Sequence, residues 1–138
     1  MAAIEYRTAP RPTPEQLVDL YRSCSLGARR PIHDMAVVEQ MLAHADLVVT
    51  AWDGDELVGL ARTLTDYGYV AYLADLAVRD THQRCGIGRA LIARTRRELG
   101  PGAMVVLLAA PSAEDYYPRL GFQRHESAWV LRPGDPLR

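Results

Sequence analysis

The chain contains no lysine; every one of its 16 basic side chains is arginine. Schiff-base and phosphate-loop lysines are therefore impossible, which removes lysine-dependent aldolases and P-loop nucleotidases. The absence itself reads as compositional bias. Cysteine is scarce too: Cys24 and Cys85 have neither metal-ligand spacing nor the makings of a disulfide framework. Both are expected to be reduced thiols. The histidines (His33, His44, His82 and His125) form no local pair, so no metal is expected. No apolar run approaches the roughly 18 residues of a membrane span. Met1–Arg7 also lacks the basic-then-apolar order of a secretory leader. No membrane partner and a cytoplasmic location are the expectations. A formal net charge of −1 argues against nucleic acid as a partner.

What is present suits one domain covering residues 1–138. Nearly half the residues are apolar (49%) and 24% are charged, the ordinary balance for a chain that encloses a single core. Three prolines between Arg7 and Pro14 make an extended lead-in. Thr13-Pro14-Glu15 then gives a hydroxyl cap, a proline in the first turn and an acid, which predicts a helix to about Cys24. A second helix is predicted after Asp34, with Val37, Val38, Met41 and Leu42 as its inner stripe. Leu47–Trp52 and Leu57–Thr63 read as strands joined by an Asp53-Gly54-Asp55 turn. Tyr69–Val78 reads as a long central strand, and the helix after Gly88 has Ile87, Ala90, Leu91, Thr95 and Leu99 inward. Met104–Ala109 reads as a buried strand, and Ser112 as the cap of a short helix. Phe122–His125 and Ala128–Arg132 read as two closing strands.

The informative stretch is Asp75-Leu76-Ala77-Val78 followed by Gln83-Arg84-Cys85-Gly86-Ile87-Gly88-Arg89. A strand enters a loop with two glycines one residue apart, and a helix leaves at once. Such a loop turns main-chain N–H groups toward one point, where the helix's partial positive charge also points. A pyrophosphate fits there, and Arg84 and Arg89 can add charge-assisted bonds. Glycine spacing alone also fits a tight strand-to-helix turn. A GxGxxG dinucleotide fingerprint is not met, because the third glycine is missing.

The wider pattern resembles the GNAT superfamily of N-acetyltransferases. Gln83-Arg84-Cys85-Gly86-Ile87-Gly88 is similar to that family's Q/R-x-x-G-x-G/A coenzyme A loop. Tyr116-Tyr117-Pro118-Arg119-Leu120-Gly121-Phe122 is similar to its FYxxLGF segment. The resemblance spans roughly residues 47 to 132. It is closest to small bacterial members and, on Ala61-Arg62 and Asp75–Val78, to the serotonin N-acetyltransferase-like branch. It implies an α/β fold: a mixed, mostly antiparallel central sheet, splayed between its fourth and fifth strands and flanked by about four helices. It also implies acetyl-CoA as co-substrate and an amine acceptor, with dimers common among similar proteins.

Carried over by position, the resemblance lays the pantetheine arm along Leu76, Ala77 and Val78, with the amide of Leu76 or a neighbour polarising the thioester carbonyl. It lays the pyrophosphate on Gln83, Arg84, Cys85, Gly86, Ile87, Gly88 and Arg89. Tyr117 takes the place of the family's acid to the departing sulfur; the alternative is a core aromatic whose hydroxyl finds a partner. Asp75 is a candidate base, directly or through water; the alternatives are that it attracts the cationic substrate or bonds to a neighbouring loop. Two positions depart from the pattern. Ala110 stands where many relatives have a pantetheine-contacting Asn, and Cys85 replaces a small or basic residue. Arg29, Arg30, His33 and Asp34, with Tyr67, Tyr69, Tyr72 and Trp129, are candidate acceptor contacts, which leaves an arylalkylamine, another small primary amine, or a peptide or protein amine open. A catalytically weak acyl-CoA sensor is a second reading, and a nucleotide-binding regulator a third.

Overall fold

The computed structural model describes residues 3–138, which form two compact units, one ending at Leu108 and the other spanning Ala109–Arg138. The first unit holds a five-stranded sheet in sequence order: β1 (Glu5–Arg7), β2 (Leu47–Asp53), β3 (Glu56–Thr65), β4 (Val70–Val78) and β5 (Met104–Val106). The first four strands pair antiparallel and β4 pairs β5 in parallel, so the sheet is mixed. Three α-helices lie among the described residues of this unit: α1 (Pro14–Arg22), α2 (Met35–Ala43) and α3 (Ile87–Glu98).

Local chemistry accounts for the helix starts. Thr13 accepts from the Gln16 amide while the Gln16 side chain accepts from the Thr13 amide, a reciprocal cap with Pro14 at the first helical position. Asp34 caps α2 through the Val37 amide. α1 buries Leu17, Leu20 and Tyr21 completely, against Val38 and Leu42 of α2 and against Val48, Trp52, Leu60 and Ala77 of the sheet. Successive strand residues point to opposite faces. Gly59, next to Leu60, therefore opens on the other face, and there a Cβ would lie 3.0 Å from Ile87 Cγ2 and 3.0 Å from Leu91 Cδ1. A side chain at position 59 would push α3 off the sheet.

The structure differs from expectation at three points. β1, for which the sequence carries no signal, pairs Tyr6 with Ala51 and ends at Arg7, where the extended lead-in begins. β5 runs only from Met104 to Val106, not to Ala109, and is not buried: Met104 is 56% exposed. Its apolar run reads as a covered strand, yet only three residues find partners, Val70, Ala71 and Tyr72 of β4. The two closing strands, 122–125 and 128–132, are not formed. Short apolar stretches need a paired neighbour to satisfy their main chain, and none of the strand pairings includes these segments.

The second unit contains a 3-10 turn (Pro111–Ala113) and α4 (Tyr116–Arg119). Ala110, not Ser112, stands at the start of the turn. α4 ends in a Schellman motif: Phe122 N–H donates to Tyr117 O (3.2 Å) and Gly121 N–H to Pro118 O (3.1 Å). Gly121 takes the required left-handed conformation at φ 96°.

Replacing Gly59 with Val should destabilise the protein by about 1–3 kcal/mol through overpacking, read as a lower urea midpoint with unchanged slope. An unchanged midpoint would show that α3 does not press on β3 at this point.

Candidate functional site

The strand that carries the site is irregular in its middle. β3 and β4 run in register from Gly59↔Val78 to Arg62↔Asp75, then shift so that Thr63 opposes Leu73. Ala74 is thus the extra residue of a β-bulge. Arg79 N–H donates to Val58 O (2.8 Å), which sets the alternation of an antiparallel ladder. Ala77 and Asp75 turn their main chains to β3, while Leu76 and Val78 turn theirs to the opposite edge. β5 has left β4 by then, since its last pair is Tyr72↔Val106. The edge beyond Tyr72 is open.

At the end of this edge the chain is pinned twice. Arg79 donates through Nε and Nη2 to Leu57 O (3.0 and 2.8 Å) and through Nη2 to Asp19 (2.8 Å). His82 Nε2 lies 2.9 Å from Asp53 Oδ2, and its Nδ1 lies 2.8 Å from Thr81 Oγ1. The neutral tautomer with the proton on Nε2 satisfies both contacts. Gln83 Nε2 donates to Val78 O at 3.0 Å, and the Val78 N–H lies against the Cys24 sulfur.

The loop then turns through two left-handed residues, Arg84 (φ 64°) and Gly86 (φ 81°), and α3 begins. Gly86 has no side chain to cap the helix, whose first bond is Ala90 N–H to Gly86 O (3.0 Å). The amides of Ile87, Gly88 and Arg89 therefore have no intrahelical acceptor. Gln83, Arg84, Cys85, Gly86 and Arg89 are exposed around them, and a Cβ at Gly86 would meet no atom within 4 Å. These uncapped amides at the start of α3 stand with exposed Arg84 and Arg89 on the same loop and first turn, a donor set that suits an anion.

Asp75 is not part of this open surface. Its carboxylate has no exposed area and accepts three hydrogen bonds: Tyr21 Oη (2.6 Å) and Arg62 Nε (2.7 Å) on Oδ2, and Arg30 Nε (2.6 Å) on Oδ1. Burial alone pushes this carboxyl up, but the hydrogen bond and charge of Arg62, aided by Tyr21 and Arg30, outweigh it and hold it below the ordinary carboxylate range. Tyr21 is pushed well above the usual phenol by burial and then by the Asp75 charge. Arg62 is raised, its bond to Asp75 overriding its own desolvation. Asp75 is an anion fully engaged in the interior.

The first unit thus gathers Leu76, Val78 and Gln83–Arg89 along one strand, loop and helix. Ala77 shares the strand, but its main chain is taken by β3. Tyr117 lies in the second unit, in α4, with ring contacts to Tyr116 (centroids 5.2 Å) and Phe122 (5.5 Å). Of the expected acceptor contacts, Tyr69 (73%) and Trp129 (92%) are largely exposed, while Arg30 is bound to Asp75. Tyr21, Arg30 and Arg62 are the participants that sequence reasoning missed as such. A signal existed: one Asp within an apolar strand demands buried donors, and Arg62 is its mirror position across the hairpin. Among the described residues, no group of three or more His, Cys, Asp or Glu is placed to hold a metal ion, and no helix is long and apolar enough to cross a membrane.

Comparison with known proteins gives consistent matches. The acetyltransferase (GNAT) domain family matches residues 11–131. The uncharacterized N-acetyltransferase ycf52 of Porphyra purpurea is 26% identical over 115 residues, covering 78% of this chain. The matched segment spans 62% of that relative's length. A GNAT-family acetyltransferase of Streptococcus pneumoniae superposes with a TM-score of 0.73 at 24% identity, over 94% of this chain and 99% of that one. An aminoglycoside acetyltransferase from an uncultured soil sample, solved with sisomicin, gives 0.66 at 20% identity, over 94% and 97%. At these identities the structural likeness is one of fold.

If the lowered Asp75 carboxyl is linked to folding, its contribution is complete above the unfolded value of about 3.9 and fades as pH falls through the folded one. At pH 7 Asp75→Asn leaves two arginines without their counter-charge and should cost about 3–5 kcal/mol. Urea unfolding of both proteins between pH 7 and pH 3 should show that gap narrowing as acid is added. A gap independent of pH would contradict the assignment.

Proposed function

The chain belongs to the GNAT family of acetyltransferases, and from that premise we propose that residues 1–138 act as one catalytic domain moving an acetyl group from acetyl-CoA to a primary amine. The observation that carries this reading is the continuity of two receptors: an open edge of β4 at Leu76 and Val78 runs directly into the uncapped amides of α3. A thioester carrier with a strand-like arm and a diphosphate requires that order.

In this reading the outward main chains of Leu76 and Val78 pair with the pantetheine arm, and Ala77 contributes spacing only. Gln83 keeps Val78 in place. The diphosphate is held by the amides from Gly86 to Arg89, with Arg84, Arg89 and the exposed Cys85 on its rim and Ile87 anchoring the turn in the core. The coenzyme supplies an activated acyl carbonyl. The Leu76 amide stabilises the negative charge that grows on the carbonyl oxygen, in a position fixed before reaction. The amine attacks as a free base within one ternary complex, and Tyr117 gives a proton to the leaving sulfur. A phenol of pKa about 10 stands close enough to a thiol for that exchange. The Schellman cap closes the short helix that carries Tyr117, whose ring packs edge-on against those of Tyr116 and Phe122.

Asp75 does not serve as the base here. Its oxygens carry three donors and its side chain has no exposed area, so solvent water takes the proton from the ammonium. The acceptor is a primary amine, of a small molecule or of a peptide or protein. Sisomicin, the ligand of one structural neighbour, belongs in the test panel beside arylalkylamines and peptides.

Titration calorimetry with acetyl-CoA and thiol release across that panel test the proposal. Binding and amine-dependent release are expected; binding without release would favour an acyl-CoA sensor, and no affinity at millimolar coenzyme would end the reading. Gly86→Glu should abolish binding through charge conflict and a strained positive φ. Tyr117→Phe should lower kcat about 100-fold or more while leaving affinity nearly intact. Unchanged turnover would remove Tyr117 from the acid role.

A further inference from the structure

We propose that Arg30 is a positioning residue for acetyl transfer: it clamps the β4 bulge so that the Leu76 amide stays directed into the open edge. The proposal rests on the acetyl-CoA reading above and adds a residue that touches no substrate.

Arg30 lies between α1 and α2, 45 positions before Asp75, and spends its guanidinium on three acceptors. Nε donates to Asp75 Oδ1 (2.6 Å), Nη2 to the Ala74 carbonyl (2.9 Å) and Nη1 to its own neighbour's carbonyl, Arg29 O (2.9 Å). Ala74 is the bulge residue, skipped between Arg62↔Asp75 and Thr63↔Leu73, so the ladder gives it no cross-strand partner. Within the α1–α2 connection, Arg30 donates to two consecutive residues of β4, the Ala74 carbonyl and the Asp75 carboxylate.

The consequence for the site follows from the two-residue period of a strand. If Ala74 were drawn back into the ladder, every following residue of β4 would exchange edges. Ala77 would then face outward, and Leu76 would turn its amide to β3, away from the thioester. The bulge is therefore the register mark that decides which amide meets the carbonyl, and Arg30 holds its carbonyl. Loss of Arg30 leaves Asp75 with Tyr21 and Arg62, so the interior keeps two of its three contacts. A lysine restores the ion pair alone. Its single ammonium cannot reproduce a planar fork between a carboxylate and a carbonyl on adjacent residues.

Arg30→Lys and Arg30→Ala are compared with the unaltered protein in three measurements. These are acetyl-CoA affinity by calorimetry, kcat with an accepted amine, and the nitrogen-15 amide shift of Leu76 on adding acetyl-CoA. For Arg30→Lys the expectation is affinity within about threefold, kcat lowered about tenfold or more, and a Leu76 response clearly reduced. Free guanidinium at millimolar concentration should partly restore kcat in Arg30→Ala. A lysine variant with wild-type kcat and a wild-type Leu76 shift would overturn the inference, since an ion pair would then suffice. A parallel loss of affinity and kcat would overturn it as well, in favour of a binding role. Where the unaltered protein itself fails to bind acetyl-CoA, the coenzyme reading falls first and this inference with it. An unaltered protein that binds while the variants match it isolates the failure to Arg30.

Discussion

A buried carboxylate organises this structure. Asp75 sits in the middle of β4, and its three donors come from α1, the α1–α2 connection and β3. Taking one anion and two guanidiniums out of water is costly, and a well-packed apolar replacement is often no less stable. What the cluster provides is uniqueness of register. A slip of β4 by one residue would send Asp75 to the α3 face, away from all three partners. The bulge at Ala74, the seating of α1 on the sheet and the course of the α1–α2 connection are consistent with Asp75 in one position only.

From that registration the open edge follows. An unpaired strand edge ordinarily invites aggregation, and proteins blunt it by shortening, charge or twist. Here the edge is short and bounded, by the last β5 pair at Tyr72↔Val106 on one side and by the Gln83 side chain on Val78 O on the other. The two pinned contacts after it, Arg79 on Leu57 O and His82 on Asp53, carry the chain from the sheet into the loop without slack. α3 is drawn close to β3 by Gly59, which sets where its uncapped amides lie. Edge and helix mouth are consecutive in the chain, so a single extended ligand can meet both.

Much of this was legible residue by residue, because the signals were local. Thr13 and Asp34 cap the helices that follow them, Asp53–Asp55 turns the hairpin, and Gly86 opens α3. The Gly121-Phe122 pair forms the C-terminal cap of α4, with glycine supplying the left-handed residue and phenylalanine the ring against Tyr117. What was not legible depended on distant partners. Apolar runs at Met104–Ala109 and in the tail look like strands, but a strand exists only where another strand accepts it. The partners of Asp75 are out of reach for the same reason: a base, an attractor of substrate and an anchor for a neighbouring loop all stay open until Tyr21 and Arg30 arrive from 54 and 45 residues away.

The composition gains a meaning at two of its arginines. Arg30 serves Asp75, Ala74 and Arg29 at once, and Arg79 spans the Leu57 carbonyl and Asp19. Both geometries need several donors fixed in one plane, which guanidinium has and ammonium lacks. At exposed Arg96 and Arg97 on α3 no such demand is visible, and lysine would serve equally. A bias that acts on the whole chain is thus chemically idle over most of the surface and consequential where a planar fork joins a loop to the sheet. Those joints lie at the bulge and just before the glycine loop, the two places where the direction of a main-chain amide decides what the surface can hold.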